Sequence, residues 1–413
     1  MTKKQETIFG SLPAGPCYIF DEDCFVRRAA RVRQAFGEKV GLCFSMKANP
    51  FLLGSLPEAI DRIEVCSPGE LTICERIGAD PSAIIFSGVN KTLPDIERAM
   101  DDRVGTFTAE SRMHVDLLNA CAQKRGIRVP VLLRLTGGSQ FGMDAGEVLD
   151  IIRRREEYPG MEIVGLHYFT GTQKRKPAVI LKELLRVERF LQQVETECGF
   201  LLQRVEYGTG LAVDYFSDCD ETADHTEEER LDAIAPGIRA LGEKTQLTVE
   251  MGRFFAAPCG FYTTQIIDTK KNENIAYAIC DGGLHQLKYD GQIQGMQIPV
   301  LTHFSGQTAV PAPDDSDSSE ENERWTLCGS LCTTADVLAR DVPLHNLRPG
   351  DRLVFHRTGA YSVMEGMAVF LSRDMPAVYL YSEQKGLRLV RPSLRTDGWN
   401  TPVSLSAEGR AEL

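Results

Sequence analysis

The chain has 413 residues, 43% of them hydrophobic and 25% charged, with 46 Lys plus Arg against 58 Asp plus Glu and a net charge of −12. That length supports two domains with sizeable cores, and the acidic balance argues against a nucleic-acid binder, which needs clustered cations to neutralise phosphates. No apolar run approaches the ~20 residues of a membrane helix, and the polar start Met1–Glu6 lacks the apolar stretch of a signal peptide. The twelve Cys have no CxxC pairing and sit mostly in apolar runs. They read as buried thiols of a reducing cytoplasm rather than a disulfide framework or zinc site.

In chain order, short β-branched runs alternate with helical stretches. The runs are 40–45, 63–66, 83–87, 105–108, 129–135, 162–169, 204–207 and 247–250. Helices are expected over 68–77, 93–100, 110–123, 145–155 and 177–197. In the last of these, Leu181, Leu184, Leu185, Glu188 and Leu191 follow a 3-4 spacing that marks one packed face. Eight such units in a row predict an α/β fold, a (β/α)8 TIM-like barrel, over residues 22–257.

After Arg253 the rhythm changes to short strands, at 261–268, 275–280, 325–328, 352–356, 377–381 and 387–390. This predicts a C-terminal all-β domain, a sandwich or barrel over 258–413, joined by an N-terminal strand within 1–21. The acidic stretch 311–324 reads as a surface loop.

Six of the eight barrel strands end in polar or Gly-rich sequence. Lys47 follows the first; Glu64 and Glu70 flank the end of the second; Arg134 ends the fifth. His167, Phe169 and Thr172 end the sixth, Gly208-Thr209-Gly210 follows the seventh, and Glu250 and Arg253 end the eighth. In such barrels the strand C-termini build the active site. A lysine at a buried strand end suits a Schiff base with pyridoxal 5'-phosphate (PLP), an electron sink for amino-acid carbanions. The glycine turn offers backbone N–H groups to a phosphate, Arg253 and Thr172 offer further donors, and Glu250 suits the pyridine nitrogen. Taken singly, each has a plainer reading: a surface lysine, a common turn, and an ion pair between Glu250 and Arg253.

Together, the motifs resemble those of the fold-type III PLP-dependent decarboxylases, the ornithine and diaminopimelate decarboxylase family, over nearly the whole chain. Ser45-Met46-Lys47-Ala48-Asn49 resembles the cofactor-lysine motif, and Glu64-Val65-Cys66-Ser67-Pro68-Gly69-Glu70-Leu71 the second-strand motif. Gln140-Phe141-Gly142-Met143, His167-Tyr168-Phe169-Thr170-Gly171-Thr172-Gln173 and Glu250-Met251-Gly252-Arg253 follow in order. Asp281-Gly282-Gly283, Cys328-Gly329-Ser330-Leu331-Cys332 and Gly359-Ala360-Tyr361 continue the series.

The resemblance implies an amino-acid carboxy-lyase with Lys47, Glu250 and Cys332 as its catalytic residues. Cys332 would reprotonate the carbanion from the partner subunit of a head-to-tail homodimer. Glu64, Arg134, Phe169, Thr172, Gly208, Thr209, Gly210, Arg253 and Tyr361 would hold the cofactor, and Asp281 and Thr333 would meet the substrate. No metal is implied. Against the non-catalytic relatives of this family stand the retained Lys47, Glu250, Arg253, Cys332 and Tyr361. Against a racemase on the same barrel stands Glu250, since an arginine at the pyridine nitrogen would weaken the electron sink.

Three departures bear on the substrate. Phe169 stands where the family stacks a histidine; Thr333 stands where an acid meets the distal ammonium of dibasic substrates; and Leu284–Tyr289 lacks the arginine that reads a distal carboxylate. These features resemble a secondary-metabolism subgroup, typified in the butirosin pathway, that acts on glutamyl groups tethered to an acyl-carrier protein. A carrier protein is therefore an expected partner alongside a small amino-acid substrate, and Lys174-Arg175-Lys176 is the candidate basic patch for it, or else a solvated helix start.

Overall fold

In the computed structural model, which describes residues 3–311 and 322–402, the chain opens with helix α1 (Lys3–Ser11) and strand β1 (Cys17–Asp21). The expected N-terminal strand is thus confined to its last five residues. Pro13 and Pro16 bracket Gly15, whose φ is +96°, and this break ends the helix and restarts the chain as a strand.

Helix α2 (Glu22–Phe36) then leads into eight parallel strands: β2 (Gly41–Ser45), β3 (Arg62–Val65), β4 (Ile84–Phe86), β5 (Thr106–Ala109), β6 (Val129–Leu135), β7 (Met161–Phe169), β8 (Arg204–Gly208) and β9 (Gln246–Met251). They close into a barrel in sequence order, as expected. Between them lie α3 (Pro68–Ile77), α4 (Leu93–Asp101), α5 (Arg112–Arg125), α6 (Ala145–Arg153), α7 (Pro177–Cys198) and α8 (Asp220–Gly242). Local chemistry starts these helices where the strands hand over: Ser67 caps α3 by accepting from the Glu70 N–H at 3.1 Å, with Pro68 in the first turn.

The buried stripe of α7 is Ile180, Leu184, Val187, Phe190 and Val194, not the expected one through Leu185 and Glu188. Leu185 is 51% exposed. Both stripes satisfy a 3-4 spacing; the one carrying the β-branched and aromatic side chains faces inward. Leu181 instead packs on α8, where its Cδ2 would lie 2.6 Å from a Cβ placed on Gly237.

Strands β10 (Gly260–Asn272), β11 (Ile275–Cys280), β12 (Leu301–Ser305), β13 (Thr308–Val310), β14 (Asn322–Cys328), β15 (Val337–His345), β16 (Arg352–His356), β17 (Ala377–Ser382) and β18 (Gly386–Arg391) complete the chain. With β1 they form one ten-stranded sheet in which β1 lies between β10, antiparallel, and β17, parallel. A bulge between Ile266 and Asp268 marks where β10 leaves β16 for β11. Phe9 of α1 covers this sheet, edge-on to Phe261 at 5.0 Å, in a core with Ile19, Phe304 and Val354. Most of the acidic stretch 311–324 lies outside the described residues.

Contacts divide the chain into a barrel unit, Cys24–Asp214 with Glu221–Ala256, and a second unit, Met1–Asp23 with Tyr215–Asp220 and Ala257–Leu413. The assignment of Tyr215–Asp220 to the second unit has no counterpart in the sequence pattern. His356 anchors that segment, its Nδ1 lying 2.7 Å from Asp220 Oδ2.

Candidate active site

Barrel register brings the polar strand ends to one layer. Ser45 pairs with Glu64, Cys43 with Glu250, Gly208 with Glu250, Phe169 with Gly208, and Arg134 with His167. Lys47 follows on a 3-10 turn, Met46–Ala48, rather than at the start of an α-helix. Its Nζ lies 2.5 Å from Glu64 Oε2 and 3.5 Å from Glu250 Oε1, with Cys66 Sγ at 3.5 Å.

Glu250 is further held by the Ser45 hydroxyl, which donates to Oε1 at 2.9 Å, and by His167 Nε2, 3.0 Å from Oε2. Its partner is therefore not Arg253, which removes the plainer reading of this residue. Both carboxylates are buried, Glu64 to 3% and Glu250 to 7% exposure.

Their acidities diverge. Burial alone would push the Glu250 carboxyl up, but the Lys47 charge and the His167 hydrogen bond outweigh it and hold the group well below the usual carboxylate range. Glu64 goes the other way: burial and then the Glu250 charge push it up, against the pull of Lys47. Although Glu64 makes the shorter contact with Lys47, Glu250 is the firm anion. Two carboxyls forced apart in this way are suited to different roles, one fixed charge and one proton holder.

Across the barrel mouth, Gly208 and Gly210 form a cradle. A Cβ on Gly208 would meet the Phe169 ring at 2.5 Å, and one on Gly210, where φ is +59°, would meet Gly171 O at 1.9 Å. Thr209 is buried, and its Oγ1 accepts from the Leu211 N–H at 3.3 Å. Arg253 Nε donates to Thr172 Oγ1 at 3.3 Å, so cation and hydroxyl converge beside this turn. Phe169 is half-buried at the end of β7. A backbone turn that only glycine tolerates, a guanidinium and a hydroxyl form a donor set suited to a phosphate. An amine between two carboxylates suits an aldehyde-bearing pyridine.

Arg134, an expected cofactor residue, ends β6 in an ion pair. It is 7% exposed and bonded to Glu110, Nη1 to Oε1 at 2.5 Å, with its guanidinium 4.8 Å from the Phe141 ring centre. Glu110 also accepts from the Gly142 N–H at 3.2 Å.

Lys91, 3% exposed, donates to Thr108 Oγ1 at 3.3 Å and to Gly88 O. Burial lowers its pKa to about 8, Glu110 opposing the shift. Neither Glu110 nor Lys91 was singled out from sequence. Both follow the two least regular strands, β4 and β5, and the Gly88–Lys91 strand ending was the available signal. Glu206, in β8, is also new: it is 1% exposed, and neither oxygen makes a hydrogen bond of ordinary geometry among the described residues.

In the second unit, Asp281 Oδ1 accepts from the Thr264 hydroxyl at 2.6 Å and the Gln265 N–H at 2.9 Å. It shares the lining of a cavity of about 630 Å³ with His285, Gln286, Arg373 and Asp374. Tyr361 takes φ of +67°, unusual for an aromatic residue. Cys332 is the one exposed cysteine of the twelve, all free thiols. Thr333 beside it is exposed and caps a turn, its Oγ1 accepting from the Ala335 N–H at 3.3 Å.

Of the candidate basic patch, Arg175 and Lys176 are exposed, whereas Lys174 is largely buried. Lys174 pairs with Glu183 at 2.7 Å with only 9% of its side chain exposed, and Arg175 lies 3.4 Å from Asp214. Glu183 sits nine residues further on, across a loop and into α7, so the strand-end sequence alone gave no sign that this charge is spoken for. No cluster of three or more His, Cys, Asp or Glu among the described residues is arranged to hold a metal ion. No helix there is long and apolar enough to cross a membrane.

Closed barrel, rim lysine between two carboxylates and glycine cradle define a PLP-dependent lyase, one that removes a carboxyl group from an amino acid. A family model, described as the pyridoxal-binding domain of pyridoxal-dependent decarboxylases, matches residues 22–257. The chain belongs to this family, the fold-type III group that includes the ornithine and diaminopimelate decarboxylases. It is similar to the L-glutamyl-[BtrI acyl-carrier protein] decarboxylase of Niallia circulans, 26% identical over 407 residues that cover 91% of this chain and 89% of that one. A second relative is the 2-[(L-alanin-3-ylcarbamoyl)methyl]-2-hydroxybutanedioate decarboxylase of Staphylococcus aureus, 26% identical and covering 89% and 94% of the two chains. The same fold is seen in diaminopimelate decarboxylase from Helicobacter pylori complexed with L-lysine, with TM-score 0.80 and 22% identity over 96% of this chain and 98% of that one.

Proposed function

We propose that this decarboxylase removes the α-carboxylate of an amino-acid derivative whose distal end carries no ammonium, within secondary metabolism and as a homodimer. The carrying observation is Lys47 Nζ set between Glu64 at 2.5 Å and Glu250 at 3.5 Å, with Glu250 held as the anion by His167. When bound, PLP supplies the electron sink for the bond to the departing carboxylate.

The chain's residues do the rest. Lys47 presents the amine to the cofactor aldehyde. Glu250 holds a proton on the pyridine nitrogen, and His167 and Ser45 fix the orientation of its carboxylate. Gly208, Thr209, Gly210, Thr172, Arg253 and, by the resemblance, Tyr361 would hold the phosphate, and Phe169 would offer the pyridine a ring that can stack but not hydrogen-bond. Arg134, locked by Glu110, sets the polarity of the rim rather than moving a proton. Cys332 of the partner subunit delivers a proton to the carbon that has lost its carboxylate.

Support for the substrate class comes from Thr333. By the resemblance Thr333, exposed in the single chain, joins a site shared with the partner subunit, where a distal ammonium would meet a hydroxyl instead of a carboxylate, and an uncompensated buried charge is strongly unfavourable. The names of two relatives fit, one acting on a glutamyl group tethered to a carrier protein and the other on a hydroxybutanedioate amide, while the diaminopimelate decarboxylase of Aquifex aeolicus, 25% identical, does not. For a carrier-bound substrate, Lys174 is taken up by Glu183, which leaves the exposed Arg175 and Lys176 of that run as docking cations.

A carbon dioxide release assay over free and carrier-loaded amino acids tests this reading. Turnover is expected with neutral, acidic or tethered substrates. Ornithine, lysine or diaminopimelate turned over as efficiently would contradict it.

A further inference from the structure

One carboxylate in the barrel unit gathers three donors from two segments. Glu183, on α7, accepts from the Thr170 hydroxyl at Oε1. Its Oε2 accepts from the Tyr207 hydroxyl at 2.6 Å and from the Lys174 ammonium at 2.7 Å. Thr170 and Lys174 belong to the loop after β7, which carries Thr172; Tyr207 directly precedes the Gly208–Gly210 turn. The cluster is largely closed to solvent, with 13% of the Glu183 side chain and 9% of the Lys174 side chain exposed.

The two loops are already stitched to each other. The Lys174 N–H donates to Gly210 O at 2.8 Å, and Lys174 O accepts from the Ala212 N–H at 3.3 Å. Gln173, at φ of +56°, joins the same seam: its Oε1 accepts from the Val213 N–H at 2.8 Å and its Nε2 donates to Val213 O at 3.2 Å. The Lys174 side chain then runs beneath the turn, its Cε 3.3 Å from where a Cβ on Gly210 would stand. Its ammonium lies 5.9 Å from the Phe169 ring centre. A lysine buried in this position needs a counter-charge to stay there; burial pushes its pKa down and Glu183 pulls it back.

We propose that Glu183 is a positioning residue for the phosphate turn: it clamps Thr170, Lys174 and Tyr207 so that the loops after β7 and β8 hold Thr172 and Gly208–Gly210 at one spacing. This rests on the reading of that turn as the cofactor's phosphate site. Glu183 itself does not touch the phosphate; it acts by holding the backbone that does. In an amide the anion is gone, Lys174 loses its counter-charge, and the strap beneath Gly210 is released.

The test compares affinity for PLP with affinity for pyridoxal, which lacks the phosphate, by titrating the cofactor-free protein and reading absorbance. The wild-type chain, Glu183→Gln and Lys174→Met are compared, with thermal unfolding as the control for fold. Glu183→Gln is expected to weaken PLP binding about tenfold or more while changing pyridoxal binding about twofold or less. The preference for the phosphorylated form therefore collapses.

Equal weakening of both ligands, or no weakening of either, overturns the proposal and leaves Glu183 a structural residue. If Glu183→Gln does not fold, Lys174→Met decides on the same ratio. A wild-type chain with no preference for PLP over pyridoxal would instead refute the phosphate-turn reading itself.

Discussion

Replacing Glu206 with Gln is expected to leave cofactor binding intact and to change how stability depends on pH. The side chain is 1% exposed, and its oxygens lack ordinary hydrogen bonds among the described residues. Burial, then the charges of Glu250 and Glu64, push its carboxyl well above the usual range. The folded protein therefore keeps a proton that the unfolded chain releases above about pH 4.3. Because the folded pKa is the raised one, stability is present below the unfolded value and is lost as pH climbs toward the folded value.

The slope for one such group approaches about 1.4 kcal/mol per pH unit over the interval in which the folded protein keeps the proton and the unfolded chain has lost it. Glutamine keeps the shape without the titration. Urea unfolding of the barrel at several pH values in that interval, read by circular dichroism, gives the two profiles. The wild-type profile should fall away from the variant profile as pH rises, with a slope of up to about that size, other groups cancelling in the difference. Parallel profiles would mean that Glu206 is ionised in the folded protein and that the charge inventory of the barrel mouth is wrong.

Glu250→Gln should preserve PLP binding and lower carbon dioxide release by about two to three orders of magnitude, the usual scale for removing a fixed charge that stabilises developing charge; an unchanged rate would make Glu250 merely a partner of Ser45 and His167. Mixed Lys47→Ala and Cys332→Ala chains, each inactive alone, should regain part of the activity, because one hybrid site holds both intact residues. No recovery after demonstrated subunit exchange would count against shared sites. Glu64→Gln should leave Glu250 the anion, because Lys47 and His167 stay in place, so the cofactor absorbance should survive; its loss would make Glu64 the indispensable anion.

Much of the barrel was legible because its strands are short β-branched runs whose endings break the apolar pattern. Lys47, Glu64, His167, Gly208 and Glu250 all stand at such endings, and parallel register alone brings them into one layer. What the sequence did not show was pairing at a distance. Arg134 and Glu110 are 24 residues apart in sequence, and nothing local says that this arginine is consumed by an ion pair. The Lys174-Arg175-Lys176 run looked like a free patch for the same reason: Glu183 and Asp214 arrive from other elements.

Glu206 sits in Arg204-Val205-Glu206-Tyr207, where simple alternation reads it as the solvent side of a strand; in a closed barrel that side is the interior. In the second unit, β12, β13 and β15 were missed. The first two are five and three residues long, and β15 carries Arg340, Asp341 and Pro343 mid-strand, with Asp341 at φ of +57°. Its pairing with β14 is likewise irregular, with register shifts at Trp325–Leu327–Cys328.

The most direct test of the central claim is to find which lysine holds the cofactor. The PLP-loaded protein is reduced with borohydride, digested, and its peptides are read by mass spectrometry for a pyridoxyl group. The group is expected on Lys47, between Glu64 and Glu250. Labelling of another lysine, Lys91 or Lys174 above all, with Lys47 unmodified would contradict it.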